Sequence, residues 1–266
     1  MLKLTSAQNV KIKQLVSLKE RRNRDESGLF LIEGYRELKR AAYHNVHFQA
    51  LFICPELFLG SNEPELIKQI ETQVYELPVH LFKKISYRDR PDGLVAIAYQ
   101  MRFGLKDLHG QGKQPFFVVA ESIEKPGNLG TILRSADGVG TDGVIVCDRC
   151  TDIYNPNVVR ASVGTLFTIP VIEAKGSEAY LWLKDKNIQV VAATPSAKVD
   201  YTDANLTGPI AIVVGTEQLG LSDLWMKAAD LQVKIPMKGV ADSLNVATAT
   251  TLLLYEVIRQ RKHSIL

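Results

Sequence analysis

Asn128, Gly130 and Arg134 stand in the run Glu124-Lys-Pro-Gly-Asn-Leu-Gly-Thr-Ile-Leu-Arg134, directly behind the apolar stretch Pro115 to Ile123. That stretch is β-branched and aromatic, as a buried parallel strand is, and Pro126, Gly127 and Asn128 break it and supply a helix cap. Leu129, Ile132, Leu133 and Ala136 give the following helix an apolar stripe. Gly130 and Arg134, four apart, share another face, and helical side chains lean towards the amino end, so Arg134 is expected to point back at the Asn128 turn. Free N–H groups, a carboxamide and a guanidinium suit a phosphate, or an oxygen carrying partial negative charge. Taken alone, the same residues serve equally as a cap and a solvated helix face.

Two further clusters lie downstream. The strand Ile210 to Gly215 leads into Gly215-Thr-Glu-Gln-Leu-Gly220, and glycines at a strand's carboxyl end let a ligand approach the backbone. The run Ile235-Pro-Met-Lys-Gly-Val-Ala-Asp-Ser-Leu-Asn-Val246 then places Ser243 and Asn245 at the start of a terminal helix. Neither cluster forms G-x-G-x-x-G or a Walker loop, which argues against a nicotinamide oxidoreductase.

The elements that position these residues fall into two groups. Strands at Phe116 to Ile123, Gly143 to Cys147, Gln189 to Ala193 and Ile210 to Gly215 alternate with helical stretches, the pattern of an open α/β domain with a covered parallel sheet. Val246, Ala249, Leu252, Leu253 and Val257 predict a long helix over Leu244 to Lys262. The first hundred residues predict a small mixed domain: helices at Ala7 to Glu20, Tyr35 to His44 and Glu63 to Thr72, and strands at Phe30 to Glu33, Phe48 to Cys54, Val74 to Glu76 and Gly93 to Tyr99. The polar, Gly-bearing run Leu105 to Gln114 reads as a linker, so the expected division is 1–104, 105–114 and 115–266.

With 266 residues, 46% hydrophobic and 23% charged, the chain can bury two ordinary cores. It has no run of eighteen apolar residues and its amino terminus lacks a secretion signal's apolar core, which favours the cytoplasm. Cys147 and Cys150 form a lone CxxC and are read, with Cys54, as ordinary reduced thiols. The net charge of +3 is modest, but residues 1–40 hold ten Lys or Arg against five acids. That local excess of +5 makes the amino end the expected polyanion contact.

N-x-G-x-x-x-R, then G-x-E-x-x-G, then I-P-M with S-L-N-V before the last helix closely resemble the SpoU (TrmH-type) family of RNA ribose methyltransferases, over about residues 115 to 262. The resemblance implies an α/β fold: a trefoil-knotted, open parallel-sheet methyltransferase domain, preceded by a small α/β RNA-binding domain resembling a ribosomal protein. It implies S-adenosylmethionine as cofactor, a homodimer, no metal, and transfer of a methyl group to a ribose 2′-hydroxyl. Carried over by position, Gly215, Ile235 and Leu244 would hold the cofactor, and Asn128, Arg134, Glu217, Ser243 and Asn245 would form the reaction site. Arg134 would orient the hydroxyl and stabilise its developing charge, fixed by Asn128 and Asn245. The chain departs from the family at Ala247, where many relatives have Ser, and at Glu124, often Asp. The two-domain layout favours ribosomal over transfer RNA. A base-modifying knotted methyltransferase and a noncatalytic RNA-binding assembly factor are the alternatives.

Overall fold

The computed structural model describes residues 1–110, 112, 114–148, 151–216 and 219–263. The chain forms two compact units: Met1–Met101 with Asp152–Thr168, and Arg102–Thr151 with Ile169–Leu266.

In the first unit, β1 (Leu2–Lys3), β2 (Leu29–Glu33), β3 (Phe48–Ile53), β4 (Gln73–Glu76) and β5 (Leu94–Tyr99) form a mixed sheet in the order β1-β4-β3-β5-β2. β5 runs antiparallel to both neighbours, and β4 is parallel to β1 and β3. The helices α1 (Val10–Ser17), α2 (Arg21–Ser27), α3 (Tyr35–Tyr43), α4 (Glu63–Gln69) and α5 (Val79–Ile85) alternate with these strands. Ile12, Leu15 and Leu18 meet Phe52, Phe82 and Ile97 in one apolar core. The helix expected over Ala7 to Glu20 is shorter, Val10–Ser17, and an unexpected second helix follows at Arg21–Ser27, because the chain turns at Leu18 and Lys19 and the Arg24 guanidinium takes both freed carbonyls at 2.8 Å. Arg24 is 1% exposed and pairs with Asp152 at 2.6 Å, so one cation of the amino-terminal excess is spent inside the fold. Lys3, Arg21 and Arg22 sit in exposed ion pairs with Glu76, Asp25 and Glu26.

The chain continues through β6 (Phe116–Glu121), α6 (Pro126–Val139), β7 (Gly143–Cys147) and α7 (Pro156–Ala161), the last belonging to the first unit. Then come β8 (Val171–Ala174), α8 (Gly176–Asp185), β9 (Gln189–Ala193), β10 (Val199–Asp200), β11 (Ile210–Val214), α9 (Asp223–Ala228), β12 (Leu231–Lys234) and α10 (Val246–His263). Strands β6 to β12 make one seven-stranded sheet, every neighbour parallel, in the order β10-β12-β9-β11-β6-β7-β8. The central strands are apolar without alternation, as burial on both faces requires. Phe117, Ile145, Val190, Val213 and Trp225 pack in one core, joined by Leu108 from the stretch Leu105 to Gln114. α10 returns to pack on α6 and β11, with the Ser135 and Thr251 hydroxyls hydrogen-bonded at 2.7 Å. Near its end, Arg261 donates to the Gly208 carbonyl at 2.8 Å and lies over the Phe116 ring. No helix among the described residues is long and apolar enough to cross a membrane.

Candidate active site at the carboxyl ends of the central strands

From β6 the sheet grows outward through β7 to β8, and from β9 it grows the other way through β12 to β10, with β11 between β6 and β9. Such a reversal opens a crevice outside the strands' carboxyl ends. A cavity of about 390 Å³ lies there, lined by Gly215, Ile235, Ser243 and Leu244 together with Thr194 and Met237. That volume suits a small organic ligand (~300 to 1,000 Å³). Two of the three sequence clusters expected to form the site therefore meet in one place, each arriving from the end of a strand or the start of a helix.

Gly215 has a steric reason to be glycine. A Cβ there would lie 2.4 Å from the Gly220 carbonyl oxygen and 2.7 Å from its carbon, because the turn folds straight back on itself. Thr216 and Gly220 form an isolated bridge, with the Gly220 N–H donating to the Thr216 carbonyl at 3.0 Å and the Leu219 N–H to the Thr216 hydroxyl at 3.0 Å. The Glu121 carboxylate, buried at the end of β6, accepts from the Ser222 N–H at 2.7 Å and ties the far side of the turn to the sheet. Glu217 lies outside the described residues.

Asn245 caps α10. Its Oδ1 accepts from the Ala247 N–H at 3.0 Å and the Thr248 N–H at 3.4 Å, satisfying orphan donors of the first turn. Its Nδ2 donates to Asn128 Oδ1 at 3.1 Å, which joins two segments 117 residues apart. Asn128 itself is not the cap of α6. The helix begins at Pro126, a ring already set to helical φ, with Lys125 as the cap residue, so Asn128 stands inside the first turn and faces the partner helix instead. Asn128 lines a smaller cavity of about 80 Å³ with Glu124 and Lys125, and this shares Thr216, Leu219 and Val246 with the larger one. The asparagine pair thus stands beside the candidate ligand cavity.

Arg134 is exposed on α6 and lines neither cavity. Among the described residues it has no ion pair. The long side chain has no acid to draw it down the helix and stays solvated. Thr194 and Pro195 went unnoticed in the sequence, although a polar residue and a proline directly after the apolar strand β9 give the same signal as the other strand ends.

A parallel sheet with a switch point, a doubled-back glycine turn and a capped helix start together define an open α/β enzyme with a small-molecule crevice. Residues 115–255 match the SpoU rRNA Methylase family, and residues 9–96 match the MRM3-like substrate binding domain. A 23S rRNA (uridine(2479)-2'-O)-methyltransferase of Streptomyces viridochromogenes is 30% identical, covering 96% of this chain and 92% of its own length. A solved RNA 2'-O ribose methyltransferase superposes with a TM-score of 0.87 at 41% identity over 98% of this chain and all (100%) of that one. An AdoMet-bound rRNA methyltransferase from Sinorhizobium meliloti superposes with a TM-score of 0.88 at 31% identity over 97% of each chain. The chain belongs to the SpoU rRNA methylase family.

Proposed function

We infer that this protein is an RNA methyltransferase that uses S-adenosylmethionine to methylate a ribose 2′-hydroxyl in ribosomal RNA. The observation that carries the reading is the junction of two sites: the cavity of Gly215, Ile235, Ser243 and Leu244 abuts the Asn128–Asn245 pair, as a cofactor pocket must abut its reaction site. The pocket fits the cofactor in kind. It offers a backbone cradle that a Cβ at Gly215 would fill, apolar Ile235, Met237 and Leu244 for a base, and the Ser243 and Thr194 hydroxyls for polar edges. When bound, S-adenosylmethionine supplies a methyl group on a sulfonium, which leaves without help from a metal.

Asn245, locked by its cap bonds, holds Asn128 in one orientation, and the two carboxamides position the ribose. Arg134, solvated and always charged, orients the hydroxyl and stabilises negative charge on its oxygen as the proton departs. Glu217 joins the reaction site by its place in the second motif. Residues 1–104, with their match to a substrate-binding domain, grip the RNA. Family membership supports a trefoil threading of the carboxyl-terminal segment and a pairing of two copies, and a cytoplasmic place of work fits a ribosomal RNA substrate.

The test incubates purified protein with tritiated S-adenosylmethionine and separate pools of undermethylated ribosomal and transfer RNA, with nucleoside mass spectrometry. The expected product is a 2′-O-methyl nucleoside from ribosomal RNA, formed roughly a hundredfold more slowly by Arg134→Ala, comparable to losing one charge-stabilising donor. A methylated base would replace the ribose reading with the base-modifying one. No transfer and no cofactor binding would leave the noncatalytic RNA-binding reading, and wild-type turnover in the Arg134 variant would remove that residue's role.

A further inference from the structure

The first unit carries a second cavity, of about 780 Å³, that methyl transfer does not use. Four guanidiniums and four carboxylates line it: Arg36, Arg88, Arg90 and Arg160 against Glu37, Glu63, Asp89 and Asp92. Formally it is neutral, but the charges are sorted by depth. Glu37, Glu63 and Asp92 are buried around a half-buried Arg88, while Arg36, Arg90 and Arg160 are exposed with a single carboxylate, Asp89, among them.

The floor is built and held. Arg88 donates to Glu37 Oε1 at 2.7 Å and to the Glu33 carbonyl at 2.8 Å, and lies 3.9 Å from Asp92. Asp92 accepts the Tyr35 N–H at 2.8 Å, and Glu63 Oε1 accepts from the Leu59 and Gly60 N–H groups at 3.1 and 2.9 Å. Even so, the acceptors Glu63 Oε2 and Asp92 Oδ1 and the donor Arg88 Nε are buried with no hydrogen-bond partner among the described residues. Burial also pushes the Glu37 carboxyl up, despite the Arg88 guanidinium beside it. Buried polar atoms without partners destabilise a fold, so acceptors left open in a pocket floor mark where a donor belongs.

The rim is the opposite. Arg36 comes from the first turn of α3, Arg90 from the loop after α5 and Arg160 from the last turn of α7, and among the described residues none of the three has an ion pair. Three unpaired guanidiniums from distant sequence segments around one mouth form an anion collar. A bare inorganic anion fits the collar but not the carboxylate floor. A nucleotide fits both, because its phosphates are anionic while its ribose hydroxyls and base N–H groups are donors. Unpaired nucleotides of RNA are recognised this way, splayed from the helix and hydrogen-bonded on their edges.

We propose that this cavity binds an unpaired nucleotide of the RNA, with flanking phosphates on Arg36, Arg90 and Arg160 and its donors towards Glu63 and Asp92. The proposal rests on the RNA reading above. It puts the first unit's main RNA-binding surface here and not on the amino-terminal basic run.

The test measures anisotropy of a labelled single-stranded RNA of mixed sequence and of the matched blunt duplex, with full-length protein over a salt series. The triple variant Arg36→Ala/Arg90→Ala/Arg160→Ala should bind the single strand at least tenfold more weakly. Its log affinity should fall with log salt less steeply by about 2, at roughly 0.7 for each phosphate that is no longer neutralised. Its unfolding transition and its calorimetric S-adenosylmethionine affinity should match wild type, and Lys11→Ala/Lys13→Ala/Arg22→Ala should change little. Ribonucleoside monophosphates should compete with the RNA, and inorganic phosphate at equal ionic strength should not. Wild-type affinity and slope in the triple variant, or equal competition by phosphate, would overturn the nucleotide pocket while leaving the methyltransferase reading in place. A wild-type protein that binds neither RNA would likewise overturn the nucleotide pocket, whereas the methyltransferase reading stands or falls by the transfer assay above.

Discussion

Asn245 performs two tasks with two atoms, and substitutions can part them. Its Oδ1 caps α10 through the Ala247 and Thr248 N–H groups, and its Nδ2 holds Asn128 at 3.1 Å. Asn245→Ala loses both: about 1 kcal/mol for the cap and about 1 kcal/mol for the side-chain hydrogen bond. Together that is about 2 kcal/mol, or about 4 to 8 °C in melting temperature for a unit of this size. Asn245→Asp keeps the acceptor, and Asp caps as well as Asn, so its loss is limited to about 1 kcal/mol. What Asp cannot do is donate to Asn128 Oδ1. The two variants should therefore part in thermal unfolding and converge in single-turnover methyl transfer, each falling by tenfold or more, since a displaced positioning group costs up to about a hundredfold. A wild-type rate in Asn245→Asp would show that the hydrogen bond to Asn128 does not matter to the reaction. An unchanged melting temperature in Asn245→Ala would show that the cap does not hold α10.

Gly215→Ala should weaken S-adenosylmethionine binding by tenfold or more in calorimetry with the secondary structure intact, because the new Cβ lands 2.4 Å from a backbone oxygen that must move; wild-type affinity would mean that the turn is not the cradle. Arg24→Ala strands a buried Asp152 and frees the Leu18 and Lys19 carbonyls, so urea unfolding should show a loss of about 3 to 5 kcal/mol, and a loss well under 1 kcal/mol would contradict the buried pair. Glu256, buried on α10, is held below the usual carboxylate range first by the Arg259 hydrogen bond and, against the opposing cost of burial, by Gln260. A depressed folded value means that this carboxylate adds stability above its unfolded value near 4.5 and loses it as pH falls through the folded one. The stability gap between wild type and Glu256→Gln should accordingly be widest near neutral pH and shrink on acidification below 4.5; a gap that grows there would reverse the sign.

What the sequence disclosed follows from the range over which each feature is determined. β7 and β9 match the predicted Gly143 to Cys147 and Gln189 to Ala193 because a buried parallel strand is a continuous apolar run with polar or glycine ends. β8, β10 and β12, of four, two and four residues, are too short to carry a period and exist because neighbouring strands supply the hydrogen bonds. The start of α6 lies ahead of Asn128 because Pro126 is preset for the first helical position, and a cap-forming residue two places on competes poorly with it. In the sequence Arg24 is one more cation of the basic amino end expected to meet a polyanion, and its role depends on Asp152, 128 residues away. The site shows the same division. In a parallel sheet every strand's carboxyl end reaches one edge, so local signals after strands suffice to nominate Asn128, Gly215 and Ser243, while Ile235 came with the family resemblance. They would have nominated Thr194 too, had the rule been carried to β9. That Asn245 bonds Asn128, and that Arg134 stands apart from both cavities, depends on strand order and on how α10 folds back upon α6. Local chemistry thus names the members of a site at a sheet edge, while the order of the strands decides which of them can touch.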